Sequence, residues 1–289
     1  MPISPLDYRY GRDKAKEIWS REGRHSRLLE VERALIWAHS KMGRVSPEDY
    51  DAIADIADPG IVTADRVDEI ERETKHDIMA LTKAMAEAAG GSGWCIHLGA
   101  TSNDIVDSAV AIQIRDSITL QRKSVCSLIL SLCEIAEREK HTVMLGRTHG
   151  QAAVPITFGL KVAVWVDEFR RHLDRLDEIT PRCITGKFLG AVGTGAAQGK
   201  RALELQELVL KELGLEVPVA TTQVVGRDRY IEWVGWMANV ATSVEKLLQE
   251  IRNFQRSDIA EVGEWFDAEK QVGSSTMAHK RNPINAENA

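Results

Sequence analysis

The sequence predicts an all-α protein: three long helices preceded by a small helical segment. From Ala100 to Leu145 there is neither glycine nor proline, so no residue in that stretch interrupts a helix. Apolar residues recur at intervals of three and four along most of the chain, the period of one helix face. Strand-like alternation is confined to a few short runs, and polar, glycine-rich loops separate the helical patterns.

In chain order, residues 1–11 read as irregular, with Pro2 and Pro5, and end in Tyr8, Arg9 and Tyr10. Leu28, Leu29, Val31, Leu35, Ile36 and Trp37 then recur at helical spacing. Ser46-Pro47-Glu48-Asp49 has the form of an N-cap followed by proline in the first turn. Thr63 caps a further helix, Ala64 to Glu73, charged over most of its surface. Thr74-Lys75-His76-Asp77 leads into an apolar helix reaching about Ala89, and Gly90-Gly91-Ser92-Gly93 breaks the pattern. The expected division is an N-terminal helical domain, 1–98, and a long-helix bundle domain, 99–289. Thr101 or Ser102 caps the first long helix, with Asp104 in its first turn facing the positive end of the dipole. That helix should run for about 35 residues, the length of a bundle member. Val106, Val110, Ile114, Ile118, Val125, Ile129, Leu132 and Ile135 form its apolar stripe, which reads as core. A loop at Gly146–Gln151 follows, and Pro155 restarts a second long helix ending near Ile179. Gly214 ends a helix from Lys200 to Leu213, and a third long helix covers roughly Tyr230 to Ala260.

A net charge of −6 gives no basic field for nucleic acid or an anionic membrane, so an anionic small substrate would need a local positive pocket. The N-terminus lacks the apolar core of a signal peptide, and no apolar run reaches the length of a membrane span. Cys95, Cys126, Cys133 and Cys183 form no CxxC pair and fit a reducing, cytoplasmic setting. The glycine-rich run before Lys200 imitates a phosphate loop but fails its spacing. Thr194 stands where a glycine is required, and Arg201 where serine or threonine is required.

The stretch richest in chemistry is Gly273–Pro283, GSSTMAHKRNP. A glycine and two serines suit a loop whose N–H groups turn toward an anion, and Lys280 and Arg281 add charge. Taken alone, these residues serve equally well as a solvated loop. Two upstream stretches shift the balance, LGATSNDIVDSA at 98–109 and GRTHGQAAVPITFG at 146–159.

Together, in this order, the three stretches resemble the signatures of the fumarase/aspartase superfamily. TKHDI at 74–78, TQVVGRDR at 222–229 and HKRNP at 279–283 resemble the adenylosuccinate lyase family most closely. The likeness runs from beginning to end of the chain. It implies a fumarase/aspartase-like bundle and a homotetramer whose sites draw the three signatures from different subunits. It also implies elimination of fumarate from adenylosuccinate, giving AMP, and from the related succinyl-aminoimidazole carboxamide ribotide of purine synthesis. By the same resemblance Ser274 is the base and His149 the acid. Arg9 and Tyr10 contact the phosphate or its neighbourhood. Lys75, His76 and Asp77 line the pocket, with His76 aiding the acid. Thr101 and Ser102 bind a succinyl carboxylate, and Gln223, Ser275, Lys280 and Asn282 complete the set. His97 and Arg227 suit structural roles equally well, and His279 has no assigned role. No metal or organic cofactor is implied.

The chain departs from the family in two places. Ala278 stands where the family motif has proline, which should loosen the loop without removing a chemical group. The chain also stops just past the third signature, so it is expected to lack part of the bundle and the family's C-terminal domain. Carboxymuconate cycloisomerase-like and argininosuccinate lyase-like enzymes are the alternatives within the superfamily. A catalytically silent helical oligomerisation fragment, or a carboxylate-binding helical module without chemistry, are those outside it.

Overall fold

Helices begin where a short polar side chain can take up the free N–H groups of a first turn. The computed structural model describes residues 9–267 and 269–289, so the irregular conformation expected of residues 1–8 lies outside the described residues. Helix α1, Asp13–Trp19, leads to α2, Arg21–Lys41, where Ser20 Oγ accepts the Gly23 N–H at 2.9 Å. Ser46 caps α3, Pro47–Ile56, by accepting the Asp49 N–H at 3.0 Å. Thr63 caps α4, Ala64–Thr74, by accepting the Arg66 N–H at 3.2 Å. Next come α5, Asp77–Ala89, and the first long helix α6, Ser102–Arg138. Strands β1, Val143–Thr148, and β2, Gln151–Thr157, precede the second long helix α7, Phe158–Cys183. Helix α8, Ala202–Glu212, is followed by the third long helix α9, Asp228–Phe254, and a short α10, Ile284–Asn288. Gly214 follows α8 with φ +64°, the left-handed closure its position predicts.

By internal contacts the chain forms two units. One contains the described residues up to Gln121 together with Glu178–Glu232; the other contains Arg122–Asp177 and Trp233–Ala289. The division falls inside all three long helices.

The first unit holds the larger core. Leu29, Leu35 and Ile36 of α2, Ile53 of α3, Ile105 and Ile112 of α6, and Leu205 and Val209 of α8 are fully buried together. Each such side chain contributes roughly 1.5–3 kcal/mol relative to exposure. In the second unit α7 and α9 are tied by polar contacts within an apolar seam. Trp236 Nε1 donates to the His172 carbonyl at 2.9 Å. Ser243 Oγ bridges His172 Nε2, at 2.9 Å, and Glu168, at 2.6 Å.

Two expectations are corrected. The segment after α6 is a β-hairpin, not a loop from which Pro155 restarts a helix. Pro155 lies inside β2, paired with Leu145, and α7 begins only at Phe158. Val143, Val154, Ile156 and Thr157 supply the branched side chains that favour a pleated surface. Helix α9 ends at Phe254 rather than near Ala260. Ala260 takes a φ of +50°, and the Glu261 N–H returns to the Phe254 carbonyl at 3.0 Å, closing the end. The predicted stripe of α6 is buried at Ile114, Ile118, Val125 and Leu132, but Val106, Val110, Ile129 and Ile135 are only half-buried. Near the start of the helix Ile105, Ala109 and Ile112 face the core instead.

Candidate active site

His149 is placed by backbone geometry. Strands β1 and β2 pair antiparallel, with Thr148 opposite Gln151, leaving a two-residue loop of His149 (φ +55°) and Gly150 (φ +73°). Two successive positive φ angles are the mark of a type I′ turn, whose twist matches that of the strands. The turn presents His149 to solvent on the rim of a cavity of about 610 Å³, shared with Arg147, Lys161, Glu250, Asn253 and Arg256. Arg147 makes paired bonds to Glu261 at 2.7 and 2.8 Å. Those bonds, then the guanidinium charge, hold the Glu261 carboxyl below the usual carboxylate range. Lys161 pairs with Glu250 and lies 5.0 Å from the centre of the Phe254 ring. The cavity is therefore cationic at its walls, with much of that charge already engaged.

The loop 273–283 is closed at its neck. A Cβ on Gly273 would run into the Lys280 carbonyl oxygen, so only glycine permits this approach. Asn282 Nδ2 donates to the Gly273 carbonyl at 3.1 Å, and Arg281 stacks 4.0 Å from the centre of the Phe266 ring. Glu264 braces the far side, accepting from the Asn285 and Ala286 N–H groups at 3.0 and 2.7 Å. Within the loop, Ser274 Oγ accepts the backbone N–H groups of Met277, at 3.2 Å, and Thr276, at 3.4 Å. Two donors on one hydroxyl oxygen favour negative charge there. Ser275, His279 and Lys280 are exposed. Among the described residues no hydrogen bond joins His149 to Ser274.

The other predicted residues lie in the first unit. Arg9 and Tyr10 are exposed, with the Arg9 guanidinium 5.5 Å from the centre of the tyrosine ring. Lys75 is exposed at the left-handed end of α4. His76 and Asp77 serve the start of α5. His76 Nδ1 accepts the Met79 N–H at 3.3 Å, and Asp77 accepts the Ile78 N–H at 2.8 Å. Thr101 and Ser102 stand half-buried at the head of α6, where Asp104 reaches back to accept the Thr101 N–H at 2.9 Å. Gln223 is exposed on the loop before α9. Arg227 is structurally engaged, bonded to Asp107 at 3.0 Å and to the Tyr230 hydroxyl at 3.0 Å. Burial, then the Asp107 charge, pushes that phenol up to about 12.

Three charged groups were not singled out from the sequence. Glu32, fully buried, accepts from the His97 N–H at 3.2 Å and contacts His97 Nδ1 at 2.7 Å. Burial pulls the His97 imidazolium down, but the Glu32 hydrogen bond and charge outweigh it and hold it above the ordinary value. Lys187, fully buried, pairs with the equally buried Asp104. Burial pushes the Asp104 carboxyl up, against the pull of Lys187. Asp107, 1% exposed, anchors the loop before α9. The available signal for Glu32 was a charge set within the apolar face of α2.

Residues 7–289 match the family model described as Lyase. The chain is similar to the adenylosuccinate lyase of Pyrococcus abyssi, 47% identical over 99% of this chain and 64% of that protein. It is likewise similar to the adenylosuccinate lyase of Methanothermobacter thermautotrophicus, 46% identical over 99% of this chain and 64% of the relative. Among solved structures, the fumarate lyase from Mesorhizobium sp. BNC1 superposes with a TM-score of 0.80 at 35% identity, covering 87% of this chain and 60% of that one. The 3-carboxy-cis,cis-muconate lactonizing enzyme from Pseudomonas putida gives 0.86 at 29% identity, covering 98% and 63%. The chain thus spans 64% of the length of these curated relatives.

Proposed function

Because the chain belongs to the lyase family, we propose that it eliminates fumarate from adenylosuccinate, releasing AMP, and acts likewise on the succinyl-aminoimidazole carboxamide ribotide. The observation that carries this reading is Ser274, whose Oγ receives two backbone N–H groups in a loop that also bears Lys280. Serine is a weak base at its ordinary pKa, and such donors stabilise the alkoxide it must become. Ser274 takes the proton beside a succinyl carboxylate, and the electron pair left behind spreads into that carboxylate. Lys280 and the loop's N–H groups stabilise the doubly charged group, which then expels the nitrogen as the C–N bond breaks. His149 gives that nitrogen its proton, the general-acid role for which an imidazole is the side chain most often used.

In the same reading Arg9 and Tyr10 receive the phosphate, and Lys75, His76 and Asp77 line the nucleotide pocket. Thr101 and Ser102 offer the head of α6 to the second carboxylate, with Gln223, Ser275 and Asn282 around it. Residues 1–98 form the small helical domain and 99–289 the bundle domain. The working form is a cytoplasmic homotetramer in which the signatures of different copies meet.

The likeness to the muconate enzyme's structure supports a second reading, cycloisomerisation of a carboxymuconate, though at lower sequence identity. The test is spectrophotometric cleavage of adenylosuccinate, with carboxymuconate as the competing substrate. Ser274→Ala and His149→Ala should each lower adenylosuccinate turnover by about 10²-fold or more. Turnover of carboxymuconate alone would overturn the first reading in favour of the second.

A further inference from the structure

Two carboxylates one turn apart at the head of α6 are each consumed by a loop from elsewhere in the first unit. Asp104, 0% exposed, accepts the Lys187 ammonium, the Gly190 N–H at 3.3 Å and the Thr101 N–H at 2.9 Å. Lys187 also donates to the Gly190 carbonyl at 3.2 Å, so its charge lies inside a closed ring of partners. Asp107 accepts the Val225 N–H at 2.7 Å and the Arg227 guanidinium at 3.0 Å. The two loops touch through their backbones, since a Cβ on Gly193 would run into the Thr221 carbonyl oxygen.

A buried ion pair is a poor way to gain stability. Desolvation offsets most of its attraction, and an apolar pair of the same volume often does as well or better. What this network does supply is fixed geometry for three groups of the proposed site. Thr101 is held at its N–H by Asp104, with Ser102 next to it in the chain, and Gln223 lies two residues from the pinned Val225 N–H. Gln223 is exposed and Thr101 and Ser102 are half-buried, on elements whose polar roots are buried.

We infer that Lys187 and Asp107 are positioning residues: Lys187, through Asp104, sets Thr101 and Ser102 to receive a carboxylate of a dicarboxylate ligand, and Asp107 sets Gln223 for the same ligand. This rests on the elimination reading above. Neither residue touches substrate in it.

The test compares succinate, which carries only the dicarboxylate, with AMP, which carries only the nucleotide, by titration calorimetry on the intact chain. Asp107→Asn keeps the side-chain volume and removes the charge. The double variant Lys187→Met with Asp104→Asn removes both buried charges together, so no lone charge is left to unfold the chain. In both, succinate should bind about tenfold or more weakly, the loss of a charge-assisted contact. AMP should bind within about twofold of the parent, a split that a merely structural role would not produce. Equal weakening of both ligands, no weakening of either, or unfolding of both variants would overturn the proposal. A parent chain that binds neither ligand would instead remove the elimination reading, and this inference with it.

Discussion

Replacing Glu32 with glutamine should destabilise the protein most at low pH. The Glu32 side chain is fully buried and holds His97 at two points, Nδ1 at 2.7 Å and the backbone N–H at 3.2 Å. His97 also has a φ of +61°, a conformation that costs a non-glycine residue about 1–2 kcal/mol and needs support. Because the folded imidazole titrates above its unfolded value, its contribution is fully present below about pH 6.5. It is lost as pH rises through the higher folded value. Glutamine removes the principal group that raises that value and leaves burial, which lowers it, so protonation of His97 then opposes folding. A hydrogen bond to a charged group contributes about 1.5–3 kcal/mol. The gap between parent and variant should therefore approach about 3 kcal/mol below about pH 6.5 and narrow as pH rises through the raised folded value. Urea unfolding followed by far-ultraviolet circular dichroism at several pH values reads it directly. A gap that stays constant with pH, or widens as pH rises, would refute the claim that Glu32 holds a charged imidazolium.

Two further substitutions separate the site from the core. Gly273→Ala should lower the proposed adenylosuccinate cleavage by about 10²-fold with little change in the urea midpoint, because its Cβ would run into the Lys280 carbonyl and displace Ser274; a kinetic assay alongside an unfolding curve checks both halves. Leu35→Ala, at a position with no exposed surface, should cost about 2–5 kcal/mol of unfolding free energy by the same urea assay, since the closely packed wall around it cannot fully collapse.

What could be read from the sequence was local. Ser46 and Thr63 cap the helices that their positions predict, and the glycine-free stretch after Ala100 gives one helix of 37 residues. The hairpin was missed because its strands are short and its turn, His149-Gly150, lacks the Asn-Gly or Asp-Gly pair that marks such turns. Pro155 misled further, since proline begins helices more often than it sits in strands, where it is tolerated only at an edge. The buried charges were out of reach for a different reason. Lys187 meets Asp104 across 83 positions, Arg227 meets Asp107 across 120, and Glu32 meets His97 across 65. A charge's own residue type says that it needs a partner when buried, but not which one.

The proposed acid and base share a construction that bears on how the reaction is run. His149 is set by a two-residue turn and Ser274 by N–H groups of its own loop, so both are aimed by backbone close to them in sequence. Neither is packed into an interior. His149 is exposed, Ser274 is half-exposed, and Lys280 beside it is exposed. Elimination through a carboxylate-stabilised anion depends on fixed donors in a site from which water has been excluded, because water screens the charge they must stabilise. Groups so open to solvent therefore need a cover. The long helices carry apolar side chains that the single chain leaves uncovered, with Leu160 57%, Val164 58%, Ile231 72% and Val234 51% exposed. Burying such faces between copies of the chain would bring further surfaces over the loops and exclude water in the same step. On the proposed reading, assembly and catalysis are then one requirement: the association that covers the bundle's apolar faces also dries the site.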